Sequence, residues 1–259
     1  GCWSAGCGSV TVTISSAPDA VVVNGGGTYC ASATLTATGG TGGVIYWQGT
    51  TSGGTSTATP STIQTVTASG TYYFRAYNSC VWGTQGSATV TINNVPGAVT
   101  VTGGGSICSG SSATLIATGG TNGTIYWQGT TSGGTSTDTP STSQVVSAAG
   151  TYYFRALNTC GWGTQGSATI SVNTLPADPA PTATPSVICS GGTSSLSATV
   201  TDAIIYWYTG SCGGTAIGSG SPVTVNPAAT TTYYARAYNA TTGCWSAGCG
   251  SVTVTISSA

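Results

Sequence analysis

Charge is what this chain has least of. Its 259 residues include three cations, all Arg (Arg75, Arg155, Arg236), and four anions, all Asp (Asp19, Asp138, Asp178, Asp202), so 3% of the chain is charged, where soluble domains ordinarily carry about a quarter. Lys, Glu, His and Met are absent altogether. A nucleic-acid backbone is held by dense rows of cations that displace counterions, and three scattered Arg do not supply one. Acid–base, Ser–His and Cys–His chemistry all need a base near neutral pH, and the residues that provide it are missing. The sequence therefore reads as non-enzymatic, with no cofactor, and any zinc site would be all-cysteine. No apolar run approaches the roughly 20 residues of a membrane span, and Gly1 opens inside a repeated motif rather than a signal peptide.

Poverty of charge is not disorder here. The chain has 7 Trp, 13 Tyr and a hydrophobic share of 39%, whereas disordered chains are short of aromatic and β-branched residues. Ser and Thr make up about a third of the chain beside 41 Gly, a composition that favours short strands and tight turns. Ten Cys without a single His, none spaced C-x-x-C, read as disulfides and place the protein outside the cytoplasm.

Internal repeats organise the chain. VIYWQGTTSGGTSTATPST at 44–62 returns as TIYWQGTTSGGTSTDTPST at 124–142, and GTYYFRAYNSCVWGTQGSATVTI at 70–92 returns as GTYYFRALNTCGWGTQGSATISV at 150–172. A more divergent copy carries ICSG at 188–191, IIYWYTG at 204–210, TTYYARAYN at 231–239 and GSVTVTI at 250–256. Pro-containing joints at Ala17-Pro18-Asp19, Val95-Pro96-Gly97 and Thr174-Leu175-Pro176 divide the chain into expected domains 17–94, 95–173 and 174–259. Residues 1–17, GCWSAGCGSVTVTISSA, are identical to residues 243–259. Segment 1–16 is thus expected to be the last strand of a preceding third-type domain, and the chain one 242-residue period, plus overlap, of a longer tandem array. The competing version is a subunit whose N-terminal strand, with Cys2, Cys7, Val10, Val12 and Ile14, docks into a neighbour. In both versions the partner is another copy of this sequence.

Apolar residues alternate with Thr and Ser over short runs punctuated by Gly and Pro, the pattern of an antiparallel β-sandwich. In the first repeat the runs are 20–24, 33–38, 44–48, 63–68, 71–77 and 87–92. Ala33, Leu35 and Ala37 share one face, as do Ala88, Val90 and Ile92. Trp47, Trp127 and Trp207 stand mid-strand where an immunoglobulin-like third strand has its core tryptophan, and Tyr72, Tyr152 and Tyr233 stand where the tyrosine corner belongs. Phe74, Phe154 and Ala235 occupy the place of the usual inter-sheet cysteine. The fold class expected is all-β: tandem immunoglobulin-like antiparallel sandwiches.

The order V/I-C-S-G, L-x-A, Y-W, T-Y-Y-x-R-A-x-N, C-W-S and a closing V-T-V-T-I resembles the bacterial Ig-like repeats found in tandem in very large secreted and cell-surface proteins of Gram-negative bacteria. Cys189, Trp207, Tyr233, Tyr234, Arg236, Cys244 and Cys249 lie on the pattern, while the first repeat departs from it with Tyr29-Cys30-Ala31. The resemblance implies a sandwich with an extracellular structural or adhesive role and brings no catalytic residues.

Each repeat has one Cys before its second strand and one after its sixth. Of the many connectivities open to ten cysteines, pairing within repeats is the simplest: Cys30 with Cys80, Cys108 with Cys160, Cys189 with Cys244, and Cys212 with Cys249 inside the third. A bridge closing about 50 residues is worth roughly 4 kcal/mol by chain entropy. Cys2 and Cys7 then match Cys244 and Cys249 and take partners in a preceding third domain.

With Trp47, Tyr72 and Phe74 inward, Tyr46, Tyr73, Arg75 and Tyr77 face outward, as do Tyr206, Tyr208, Tyr234, Arg236 and Tyr238. Two readings compete: a stripe for surface polysaccharide or a neighbouring filament, or cross-strand cladding in which an Arg cation lies over Tyr faces. Asn122-Gly123-Thr124 and Asn239-Ala240-Thr241 match the glycosylation sequon, a weak signal in so Thr-rich a chain. The expectation is an extracellular filament or stalk of disulfide-locked domains, with an adhesin or carbohydrate-binding array as the alternative.

Overall fold

The computed structural model describes residues 1–257; the last two residues of the third repeat lie outside the described range. The chain forms two compact units, one of residues 1–96 with 157–162, the other of residues 97–156 with 163–259. No helix occurs among the described residues.

In the first repeat, strands Val21–Asn24, Ala33–Gly39 and Ile63–Val66 form a three-stranded antiparallel sheet. Gly27–Cys30, Gly86–Asn93, Gly70–Tyr77 and Val44–Trp47 form a four-stranded one. Five of the six anticipated runs are strands to within a residue at each end, and the run 63–68 stops at Val66. The alternation is borne out too: Leu35, Phe74 and Ala76 are fully buried, and Ala33, Ala37 and Val90 nearly so. The Thr between them line the outside, where Thr71 and Thr89 share a cross-strand hydroxyl hydrogen bond of 3.0 Å. Tyr72 donates from its hydroxyl to Ala68 O at 2.8 Å, and Tyr152 to Ala148 O at 2.9 Å, the tyrosine corner expected of the fold.

One strand was not anticipated. Gly27–Cys30 leaves the first sheet and joins the second, running parallel to Gly86–Asn93 with Cys30 opposite Asn93. Three glycines make the crossing possible. Gly25 has φ +96°, and a Cβ there would stand 2.3 Å from Thr34 O; Gly27 has φ +141°. The second repeat crosses in the same way at 103–105, setting Gly105–Cys108 parallel to Gly166–Asn173. In the third, Val187–Cys189 lies parallel to Gly250–Ser257, after a cis Thr184–Pro185 peptide. All three cysteines thereby end a short parallel strand at one register position.

The third repeat repacks its centre. Trp47 stands opposite Phe74, and both Trp47 and Trp127 are only half-buried, each stacked on its corner Tyr and edge-on to its Phe. Trp207 stands opposite Ala235, and with the smaller neighbour it is fully buried, its Nε1 donating to Gly220 O at 2.8 Å.

Residues 1–17 have no partner strand within this chain. The segment forms no strand, and Trp3, Val10, Val12 and Ile14 are almost wholly exposed. Its twin at 243–257 supplies two strands, Cys244–Trp245 and Gly250–Ser257, with Cys244 and Val254 fully buried. The same residues take the strand conformation only where Thr231–Asn239 is available to pair with. A period-2 pattern licenses a strand but does not provide its partner.

Candidate functional site

The cysteines do not pair as expected. Cys30 is bonded to Cys160 and Cys108 to Cys244, with Cα separations of 5.4 and 5.7 Å, while Cys80 and Cys189 are free and exposed. The expected Cys30–Cys80, Cys108–Cys160 and Cys189–Cys244 bridges are therefore absent from the structure. The physical reason lies in where each cysteine sits. The strand-ending cysteine and the cysteine after the Tyr-rich strand are in different parts of the repeat, so neither reaches its sequence partner. Instead the first kind in one repeat meets the second kind in the next. Cys212–Cys249 forms as expected, with Cα atoms 5.7 Å apart.

The loop carrying the second kind of cysteine is built the same way each time. An Asn closes the Tyr-rich strand as an Asx turn: Asn78 Oδ1 accepts from the amides of Cys80 and Val81 at 3.2 and 3.0 Å, and Asn158 Oδ1 accepts from Cys160 at 2.8 Å. In the third repeat, Asn239 Oδ1 accepts from Thr241 and Thr242 at 2.9 and 3.0 Å. The sequon asparagine at 239 is thus engaged in the turn itself.

The arginines pin the same loops. Arg75 Nε donates to Gly83 O and Arg155 Nε to Gly163 O, both at 2.8 Å, while Arg236 donates from Nε and an Nη to Ser246 O at 3.2 and 3.1 Å. The cation lies over a ring, but that ring is not a tyrosine. Arg75 lies 5.5 Å from the centroid of Trp82, and Arg236 5.4 Å from that of Trp245. Trp82 in turn stacks on Tyr77 at 4.6 Å and meets Tyr46 edge-on at 5.9 Å; Trp245 packs against Tyr206 and Tyr238 at 5.0 and 4.7 Å. Four of the nine stripe residues, Tyr46, Tyr77, Tyr206 and Tyr238, are thus occupied by an indole that reading for alternation alone passed over. The signal was present: a Trp follows the loop cysteine by one or two residues in every repeat. Tyr73, Tyr208 and Tyr234 are half-buried on the same sheet face, and an open cleft beside Tyr46 and Tyr77 is lined by Gly42, Thr57 and Asn78.

A further tether was missed. Gln48 is buried, giving Nε2–H to Ser56 O at 2.9 Å and accepting from the Ser56 amide at 3.0 Å; Gln128 and Ser136 repeat the arrangement. Gln85 Oε1 accepts from Gly53 N at 2.7 Å and holds the Gly-rich loop to the start of the last strand, as Gln165 does at Gly133. In the third repeat the residue at the Gln85 position, immediately before the last strand, is Cys249, and its disulfide to Cys212 ties the corresponding loop. A hydrogen-bonded tether in two repeats is covalent in the third.

No group of three or more His, Cys, Asp or Glu side chains able to hold a metal occurs among the described residues. No helix long and apolar enough to cross a membrane occurs among the described residues.

Residues 96–174 and 176–257 match the sequence model of a bacterial family described as "Ig-like domain CHU_C associated". Among proteins with curated descriptions, none matches the chain. Solved structures similar to it include the three fibronectin domains FN1–FN3 of chicken CNTN1, at 17% identity and TM-score 0.32 over 93% of this chain and 99% of that one. The Ig1–Ig3 ectodomain of mouse nectin-like molecule 4 is similar at 15% identity and TM-score 0.36, over 93% and 96%. Murine CEACAM1b is similar at 11% and 0.35, over 61% and 98%.

Proposed function

The chain belongs to the bacterial family of Ig-like domains described as CHU_C associated, and on that premise we propose that it is a structural repeat unit of an extracellular filament or stalk, without catalysis. The observation that carries this reading is the pair of disulfides between consecutive repeats, Cys30–Cys160 and Cys108–Cys244. A bridge within a domain stabilises that domain, whereas a bridge to the next one also adds a second covalent link between consecutive repeats beside the backbone joint, the property a thread needs. Disulfides of this number belong to oxidising surroundings outside the cytoplasm, and a surface nearly free of charge has little repulsion to oppose bundling. The arginines, spent on loop carbonyls and indole faces, serve as scaffold in this account.

The identity of residues 1–17 with 243–259 supports the tandem-array form of the proposal. On a reducing, denaturing gel of protein from its natural source, the array gives one very large polypeptide. A single band near 25.2 kDa overturns that form. The alternative, a carbohydrate-binding array, draws on Tyr73, Tyr208 and Tyr234 and the cleft by Tyr46. If the chain binds a surface polysaccharide and Tyr73→Ala or Tyr234→Ala abolishes that binding, the purely structural account fails.

A further inference from the structure

The three disulfides leave four thiols, at Cys2, Cys7, Cys80 and Cys189. These four have a common property. Two of the bonds obey one rule, in which the cysteine ending the short parallel strand of a repeat is joined to the loop cysteine of the following repeat. Applied across the 242-residue period, that rule and the Cys212–Cys249 bond assign every remaining cysteine, and each assignment lies in another copy. Cys189 takes the Cys80 position of the following copy, and Cys80 the Cys189 position of the preceding one. Cys2 and Cys7, as Cys244 and Cys249 of the preceding period, go to its Cys108 and Cys212 positions. None is left over.

We propose that Cys189 forms a disulfide with Cys80 of the next copy of this sequence, continuing the ladder from unit to unit. The inference rests on the tandem-array reading above. Three observations carry it. Cys189 ends its parallel strand opposite Ser257, as Cys30 does opposite Asn93 and Cys108 opposite Asn173. Cys80 is held by the same Asn-closed turn that presents the bonded Cys160. The separation also fits: one period on, Cys80 stands 133 residues after Cys189, between the observed 130 and 136. Both thiols are exposed, so nothing within the unit covers them.

The bond forms by thiol–disulfide exchange. The Cys189 and Cys80 thiols together give up two protons and two electrons, and the disulfide of an extracytoplasmic dithiol oxidase, or oxidised glutathione in vitro, is reduced to two thiols.

The test is a two-unit chain in which Ala259 is followed by Pro18 of a second copy, refolded in a glutathione redox buffer. Free thiols are counted by alkylation, and bonded peptides are identified by mass spectrometry without reduction. The single chain has four free thiols. The two-unit chain is expected to retain four, with the Cys189 peptide of the first copy joined to the Cys80 peptide of the second. Replacing the first copy's Cys189 by Ser (Cys189→Ser) should raise the count by one, by exposing its partner. A count of six with the Cys30–Cys160 and Cys108–Cys244 peptides intact overturns the continued ladder and leaves the structural reading standing. Loss of those two bonds as well overturns the structural reading itself. Cys189 joined to any other cysteine also refutes the proposal.

Discussion

Tyr233 is the residue whose ionisation the fold opposes. It sits in the third core, nearly inaccessible, and burial raises its phenol pKa above the ordinary value near 10. Above that value an unfolded chain releases the proton while the folded one retains it. The unfolded state then binds fewer protons, and stability falls as pH rises. With no His, the side chain that ordinarily titrates between pH 5 and 8, the chain should unfold at a nearly constant urea concentration across neutral pH. The midpoint should drop beyond about pH 10. Tyr233→Phe should flatten part of that drop, measured with the four free thiols alkylated to prevent exchange; an unchanged drop would mean that Tyr233 is not its source. Arg75 makes the complementary point. Its position on the outward face was readable from alternation, but its partners were not, because Gly83 O and Trp82 lie in a loop whose course no periodicity encodes.

At the scale of elements, the crossing strand decides what the molecule can do, because it carries the outgoing cysteine. Gly25→Ala would set a methyl group against Thr34 O at a φ few side chains adopt, whereas at Gly42, with φ +87°, the space is open. Gly42→Ala should therefore cost about 1 kcal/mol and Gly25→Ala at least about 2 kcal/mol more by close approach and strain. Urea denaturation reads both, and equal losses would refute the argument. The yield of the Cys30–Cys160 bond should fall with Gly25→Ala alone. The long antiparallel strands were readable because one face of each is buried and their alternation is strict. Gly27–Cys30 was not, because four mostly exposed residues after two glycines carry no hydrophobic face, and a parallel partner about 60 residues away leaves no local mark. The within-repeat pairing failed for the same reason: once that strand is misplaced, so is its cysteine. Cys212–Cys249 was readable because both residues belong to one repeat and neither has a cysteine counterpart in the other two, which marks them as a pair of their own.

At the scale of the whole molecule, the two inter-repeat bonds overlap. Cys30–Cys160 spans the joint at Val95-Pro96, and Cys108–Cys244 spans the joint at Leu175-Pro176. Limited proteolysis in either joint should leave a single species near 25.2 kDa on a non-reducing gel that divides only when reductant is added. Bridges confined to single repeats would release the pieces at once, so fragments without reductant would refute the connectivity. Between Cys30 and Cys244 every peptide bond is bypassed by at least one sulfur bridge, and between Cys108 and Cys160 by two. The segment therefore tolerates any single backbone cut in that stretch, and parting its two ends takes reduction of every bridge that spans the cut, or three cuts, one in each of 30–108, 108–160 and 160–212. In the extracellular setting proposed above, where proteases are met more often than reductants, this would make wear gradual rather than sudden.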